Sequence, residues 1–220
     1  LGDQMLYSVL PTYYDALGLT YLQVGIILSA NRWVRFFTNH LAERALYRVN
    51  VTFALACALA GGAAVTALYG VASTFVVFLV GRLLWGLCWS FIRQSGLMTA
   101  ADAAGDESVG VVMGSYNFIA RLGSVAGNLA GAVGHDVLGF ARTLFIFAGA
   151  SLLAIPLGVQ SQRLVKHTGA RERHERPSFR GTAGLWLCGF TAGCVGSGLV
   201  MSTLGLVLRD KVGEAITVVG

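Results

Sequence analysis

Charged residues are scarce in this sequence of 220 residues. Asp, Glu, Lys and Arg make up 12% of it, while hydrophobic residues make up 55%; a soluble domain carries roughly 25% charged residues. This composition excludes a disordered chain, which needs low hydrophobicity and high charge. It also argues against a water-soluble domain, because one small core could not hide so much apolar surface. The sequence therefore predicts a polytopic membrane protein.

Patterns typical of metal centres are lacking as well. The sequence contains 4 cysteines, each inside an apolar run: Cys57, Cys88, Cys188 and Cys194. They form no C-x-x-C pair, and no histidine stands at the spacing of metal ligands. We therefore expect no metal and no cofactor, and we interpret the cysteines as small apolar packing residues.

Two other classes of membrane protein need reactive residues that this sequence lacks. A rhomboid-like protease needs G-x-S-G, but Val195 stands two positions before Ser197. A photoreceptor needs a Schiff-base lysine in helix seven, whereas the lysines are Lys166 and Lys211, the second at or beyond the end of that helix. We therefore expect no enzyme. A seven-helix receptor of another kind stays open on chemistry, but it would not explain the charged linker described next.

Seven apolar segments have about the 20 residues that cross a bilayer. We expect spans at 1–17, 21–42, 49–70, 74–98, 109–133, 139–160 and 183–208. This order predicts an all-α protein with a six-helix bundle (1–160), a basic cytoplasmic linker (161–182) and the start of a second bundle (183–220). Because Leu1 and Gly220 lie within apolar patterns, we expect a piece of a longer protein.

Basic residues are concentrated on one side of these spans. The net charge is +5, and six basic residues lie between Arg163 and Arg180. The loops 40–48, 99–108 and 161–182 hold eight Lys and Arg residues in total, against one, Arg142, in the facing loops before span seven. The positive-inside rule places the basic side in the cytoplasm. We therefore expect a multi-pass protein of a bacterial inner membrane, with the lipid bilayer and not nucleic acid as its surroundings.

Polar side chains recur at helical spacing within the spans, where they are costly in lipid and mark functional sites by default. They are Asp3, Gln4 and Tyr7 in span one, Arg32 and Arg35 in span two, Arg82 and Arg93 in span four, and Asn117, Arg121, Ser124 and Asn128 in span five. The side chain of each arginine either faces a water-filled cavity, or extends to the membrane–water interface, or binds a carbonyl group. We expect a cavity for Arg32, Arg82 and Arg121 and an interface for Arg35, and Arg93 stays open.

Asp3 is the acid that lies deep within these spans. A carboxylate beside an arginine can carry a proton, because protonation releases the arginine, or it can form a static ion pair. Both possibilities stay open. The deep arginines exceed Asp3 by three positive charges: Arg32, Arg82, Arg93 and Arg121. A basic cavity of low dielectric concentrates anions, so we hypothesise a small organic anion or carboxylated metabolite as substrate.

Three segments resemble motifs of the major facilitator superfamily. Residues 39–48 (NHLAERALYR) are similar to motif A, G-x-L-a-D-r-x-g-r-[rk]: Leu41, Ala42, Arg44 and Arg48 match, Glu43 keeps the acid, and Asn39, Leu46 and Tyr47 depart from Gly, Gly and Arg. Arg82 and Gly86 reproduce motif B, R-x-x-x-G. Gly123, Gly127 and Gly131 reproduce part of motif C, g-x-x-x-G-P-x-x-G-G, with Asn128 for Pro and Ala132 for the last Gly.

The resemblance covers all 220 residues, as the first six helices, the connector and helix seven of a twelve-helix transporter. It implies secondary active transport of a small molecule by alternating access, in a protein that is monomeric when full length. It also implies that Asp3 and Arg82 couple transport to protons and that Gln4 and Tyr7 line the cavity. A non-transporting membrane sensor or scaffold of the same fold is the alternative.

Motifs A and C imply further roles. The cytoplasmic gate would consist of Asn39, Leu41, Glu43, Arg44, Arg48 and Asp102. Glu43 would cap a helix N-terminus of the other half, and Arg44 or Arg48 would pair with an acid of the 99–108 loop such as Asp102. Motif C is typical of antiporters, so the partial match favours transport out of the cell. Its glycines, together with Gly86, would allow close packing of helices.

Overall fold

A computed structural model of the protein describes residues 2–104 and 108–165, together with residues 184, 187, 188 and 191. The chain divides into two compact units, 1–169 and 170–220. In the second unit the four described residues are helical. The rest of the predicted seventh span lies outside the described residues, and so does most of the predicted linker.

Six long helices make up the described part of the first unit. They are α1 (Gly2–Tyr13), α2 (Tyr21–Leu46), α3 (Val51–Val71), α4 (Phe75–Ala103), α5 (Val109–Leu138) and α6 (Phe140–Leu164). No strand occurs between residues 2 and 165 where the chain is described. By length and composition, α3, α4 and α6 are apolar enough to cross a membrane. The prediction of an all-α bundle is confirmed, whereas the domain boundaries at 160 and 182 stay a prediction.

The first predicted span is wrong at its end. Instead of running to residue 17, α1 ends at Tyr13, and a single 3₁₀ turn, Asp15–Leu17, follows. Gly18 closes this turn with a φ of 65°, in the left-handed region that residues with a Cβ rarely adopt. Thr20 then caps α2, since its hydroxyl accepts from the Gln23 amide while the Gln23 side chain accepts from the Thr20 amide. This capping box fixes the start of α2.

Replacing Gly18 by alanine should destabilise the first turn. A residue with a Cβ in the left-handed conformation costs about 1–2 kcal/mol, so Gly18→Ala should lower the free energy of unfolding by that amount in a denaturant titration in detergent. Gly25→Ala is the matched control, because Gly25 lies within helix α2 and a Cβ there would meet nothing within 4 Å. Equal losses in the two variants would contradict the conformational explanation.

Several helices run past the apolar segments that predicted them. α2 continues to Leu46, α4 to Ala103, α5 to Leu138 and α6 to Leu164. The predicted loops 40–48 and 99–108 are therefore wrong in extent, because polar residues extend a helix beyond the hydrocarbon region as readily as apolar ones. Only residues 47–50 connect α2 to α3, and Asn50 caps α3 by accepting from the Thr52 and Phe53 amides.

The first helix contacts each of the other five described helices. Met5, Leu6 and Leu10 of α1 are fully buried, and they share one hydrophobic cluster with Tyr69 of α3 and Phe78 of α4. α1 also packs closely on α5: a Cβ at Gly131 would lie 2.7 Å from Met5 Cβ and 2.9 Å from Met5 Cα. Any polar group on the inner face of α1 is consequently enclosed by protein.

The glycines that recur every four residues on α5 do not all lie in one helix contact. Gly127 and Gly131 are buried. Gly123 is exposed, and a Cβ added there would meet nothing within 4 Å among the described residues. The packing role that the sequence assigned to Gly123 is therefore wrong within this bundle.

Candidate functional site

The structure brings Asp3 of α1 and Arg82 of α4 into direct contact. Arg82 Nη1 donates a hydrogen bond to Asp3 Oδ1, and the two charges form a salt bridge. Arg82 is fully buried and Asp3 is 7% exposed. Among the described residues, this is the ion pair in which both partners are buried. A buried pair of this kind is strongly sensitive to the loss of either charge.

Asn31 of α2 lies beside the same carboxylate. Its Nδ2 atom is 3.4 Å from Asp3 Oδ1 and 3.4 Å from Tyr7 Oη. The Tyr7 hydroxyl in turn donates to the carbonyl oxygen of Leu28 at 3.5 Å. Helices α1, α2 and α4 therefore meet at one polar cluster inside an otherwise apolar core.

Aromatic rings complete the surroundings of Arg82. Its guanidinium carbon lies 4.8 Å from the centre of the Tyr7 ring and 5.8 Å from that of Tyr69. Ring faces at such distances attract a cation, most strongly where water is excluded. Arg82 Nε, Arg82 Nη2 and Tyr69 Oη are buried and have no hydrogen-bond partner among the described residues. Further hydrogen-bonding capacity therefore remains around the pair.

The other predicted cavity residues are more open to the surroundings. Arg32 and Arg121 are exposed, whereas Arg93, Gln4, Asn117 and Asn128 are partly buried. The guanidinium carbon of Arg32 lies 6.0 Å from the Tyr7 ring centre and so borders the cluster.

Two further predicted residues make contacts within the bundle. The side-chain amide of Asn117 donates to the carbonyl oxygen of Met113, on its own helix, at 2.9 Å. Arg35 lies 5.5 Å from the Trp89 ring centre, a cation–π contact within the bundle, whereas the sequence predicted an interface.

The predicted gate residues lie at the end of α2 and in the last turns of α4. Leu41, Arg44 and Arg48 are exposed, and Glu43 and Asp102 are partly buried. Glu43 Oε2 lies 3.7 Å from His40 Nδ1, one turn earlier on the same helix. The buried oxygen of Asn39 has no hydrogen-bond partner in residues 2–104 and 108–165. The helix N-terminus that Glu43 was predicted to cap belongs to the other half and lies outside the described residues.

Sequence reasoning missed Asn31 and Tyr69. Both are fully buried, and both contact the cluster around Asp3 and Arg82. A signal for Asn31 was present: it shares the buried face of α2 with Val24 and Ile27, at spacings of four and three residues, which mark one side of a helix. A polar residue on an apolar helix face indicates a buried partner.

The six-helix bundle, with three helices of membrane-spanning length and composition, is that of an integral membrane protein. The family model described as "Major Facilitator Superfamily" matches residues 1–211. The chain therefore belongs to this superfamily, and the resemblance predicted from its motifs is confirmed. Its members are membrane transporters of small molecules and are not enzymes in general. A search of the curated proteins found no match.

Proposed function

We propose that this protein is a proton-coupled secondary transporter that works by alternating access, with Asp3 and Arg82 as its proton-coupling pair. The observation that supports this proposal is the buried salt bridge between α1 and α4. While Asp3 is charged, separation of the pair would leave two unpaired charges in a low dielectric. Protonation of Asp3 removes one of these charges, so α1 and α4 can move apart.

The proposed substrate is a small organic anion. Arg32 and Arg121 are exposed from the six-helix unit, and Arg93 is partly exposed. None of them neutralises Asp3 directly, because that charge is already paired with Arg82. Their positive charges are therefore available to raise the local concentration of anions in an adjoining cavity.

The direction, location and assembly are also proposals. The motif C-like segment at 123–132 supports export, although Asn128 replaces its proline. The basic loops support a bacterial inner membrane with the gate residues on the cytoplasmic side. The full-length protein is proposed to act as a monomer, since two six-helix halves form one central site.

Asp3→Asn should separate proton coupling from substrate binding. In proteoliposomes, the variant should lose transport driven by an imposed pH gradient and keep counterflow of substrate, because counterflow needs no net proton movement. Radiolabelled small mono- and dicarboxylates serve as probes. Asp15→Asn is the control, since Asp15 is an exposed acid in the turn after α1; its gradient-driven flux should match that of the wild type.

Each outcome of this assay decides one part of the proposal. Gradient-driven flux in Asp3→Asn would identify the salt bridge as a static structural pair. Transport of cations or neutral solutes, but of no carboxylate, would overturn the anionic substrate class. A wild-type protein that moves no probe of any charge would favour the alternative of a sensor or scaffold.

A further inference from the structure

Asn31 reaches the proton-coupling pair from a helix that carries neither of its members. The side chain is fully buried, and its Nδ2 atom lies 3.4 Å from both Asp3 Oδ1 and Tyr7 Oη. Its Oδ1 atom is buried and has no hydrogen-bond partner among the described residues. The Nδ2 atom of this side chain therefore donates to Asp3, while its Oδ1 atom is an acceptor without a partner among the described residues.

Gly86 allows Asn31 to take this position. A Cβ at Gly86 would lie 3.1 Å from Asn31 Oδ1, 3.3 Å from the Asn31 carbonyl oxygen and 2.8 Å from Val34 Cγ1. A larger residue would push α2 away from α4 at the level of Asn31. The two fixed positions of the R-x-x-x-G segment thus serve one carboxylate: Arg82 pairs with Asp3, and Gly86 makes room for the side chain that hydrogen-bonds it.

We propose that Asn31 is a positioning residue that serves Asp3 in both of its protonation states and thereby links proton binding on α1 to α2. The inference rests on the proposed proton-coupling role of Asp3. A charged carboxylate only accepts hydrogen bonds, and Asn31 Nδ2 donates to it. A protonated carboxyl group also carries an O–H donor. Rotation of the Asn31 side-chain amide by half a turn would place its Oδ1 atom to accept a hydrogen bond from this donor. Asn31 can therefore satisfy either form without leaving its site.

Asn31 stands close to the charged groups around Asp3. On the packed helices these groups are Arg82, Arg93 and Cys88 of α4, Tyr69 of α3, Tyr7 of α1, and Arg32 and Arg35 of α2. None of them titrates near neutral pH by its ordinary value. On the remaining two helices, α5 carries Tyr116, Arg121, His135 and Asp136, and α6 carries Arg142 and Arg163.

The histidine on α5 lies away from this cluster. His135 contacts Tyr13, with ring centres 4.6 Å apart. Tyr13 is ten residues, or about 15 Å along the helix, from Asp3. Among the described residues, His135 therefore lies too far along the bundle to contact Asp3.

The test is the pH dependence of carbodiimide modification at Asp3, which needs no knowledge of the substrate. Dicyclohexylcarbodiimide reacts with protonated carboxyl groups in apolar surroundings, and mass spectrometry of the Asp3 peptide measures the modification. The full-length protein is labelled in liposomes across a pH series. Asn31→Leu, similar in size, should raise the pH at half-maximal labelling by about one unit, a tenfold change in the protonation equilibrium. Both forms of Asp3 lose a hydrogen bond, but the charged carboxylate loses the stronger one, because a hydrogen bond to an ionised group is roughly twice as strong as one between neutral groups.

Thr38→Val is the matched control. Thr38 lies two turns after Asn31 on α2, and its hydroxyl hydrogen-bonds Ser90 of α4 at 2.7 Å. This variant removes a partly buried polar contact between the same two helices without touching Asp3, so its labelling midpoint should stay at the wild-type pH. Gly86→Ala, which displaces the Asn31 side chain but keeps its amide, should raise the midpoint by less than Asn31→Leu. It also tests the proposal if Asn31→Leu does not fold.

Three results would overturn the inference: an unchanged midpoint in both Asn31→Leu and Gly86→Ala, an equal shift in Thr38→Val, or no labelling of Asp3 at any pH. The proposed function fails separately. If Asp3→Asn keeps gradient-driven transport while Asn31→Leu still shifts the midpoint, the proton-coupling role is wrong and the positioning role stands. If Asp3→Asn loses coupling while the midpoint does not move, the positioning role is wrong.

Discussion

Arg82→Gln is expected to lower the free energy of unfolding of the bundle by about 3–5 kcal/mol, because it leaves the Asp3 carboxylate buried without its cation. The effect should be large since Arg82 is fully buried and contacts two aromatic rings besides Asp3. Denaturant titration in detergent, followed by circular dichroism, measures it. Arg142→Gln is the control, because Arg142 is an exposed arginine on α6 and its loss should change little.

A double variant separates the contribution that the charge of Arg82 makes to stability from the contribution of its packing. Asp3→Asn combined with Arg82→Gln removes both charges, so it should recover a large part of the stability that Arg82→Gln loses. Residues in direct contact show such coupling in a double-mutant cycle. Losses that simply add would show that Arg82 stabilises the bundle through its bulk and ring contacts. If transport of anions and cations is lost alike in Arg82→Gln while folding is intact, the role of Arg82 is general and gives no charge selectivity.

Gly131→Leu should prevent α1 and α5 from packing and cause the second large effect. Even a Cβ at this position would lie 2.9 Å from Met5 Cα, so the backbone of one helix must move. Overpacking costs typically about 1–3 kcal/mol and more where the backbone shifts; we expect at least the upper end. The measurement is the yield of folded protein and its thermal unfolding in detergent.

Gly123→Leu is the matched control on the same helix. A Cβ there would meet nothing within 4 Å among the described residues, so folding of the bundle should be unaffected. If the two leucine variants unfold alike, helix propensity and not the α1–α5 contact determines the outcome. A loss of transport in Gly123→Leu with normal folding would place that side of α5 against another surface of the transport machinery.

The different behaviour of these glycines illustrates what a repeat in the sequence can predict. Gly123, Gly127 and Gly131 recur every four residues, but an α-helix turns about 100° per residue, so each step drifts by roughly 40° around the axis. Gly123 and Gly131 are consequently about 80° apart. Gly131 is the glycine of this repeat that lies close to α1, because which glycine makes the contact depends on how α5 is rotated against α1.

Helix existence was predictable from apolar length, whereas helix ends were not. The apolar runs located each of the six long helices described in the first unit, because a bilayer requires such runs. They placed the end of α2 at 42, whereas it lies at Leu46, since hydropathy carries no information on how far a helix continues into water. The turn after α1 was not predicted because residues 14–17 were assigned to the first span, whereas α1 ends at Tyr13 and a 3₁₀ turn follows.

The site was predictable in its residue types and not in its contacts. Asp3 and Arg82 stood out as charges within apolar spans, but their contact joins positions 79 residues apart and depends on how α1 fits against α4. Asn31 was not predicted, because an uncharged amide beside Arg32 gives a weaker polar signal within an apolar span than a charge does. The structure exposes Arg32 and buries Asn31, as the 100° between successive residues of a helix requires.

Helix α2 is long and uninterrupted, so a small tilt would move its ends sideways by several ångströms. It runs for 26 residues from Tyr21 to Leu46 without a proline, which is about 39 Å, longer than the roughly 30 Å hydrocarbon core of a bilayer. Asn31 lies about 22 Å along the axis from the C-terminal end of the helix. A tilt of about 10° with Asn31 as fulcrum would carry Glu43 and Arg44 sideways by roughly 3–4 Å, from the same helix rise. A small tilt of α2 about the buried cluster would thus move the far end of the helix sideways by several ångströms, because no proline interrupts the helix between them.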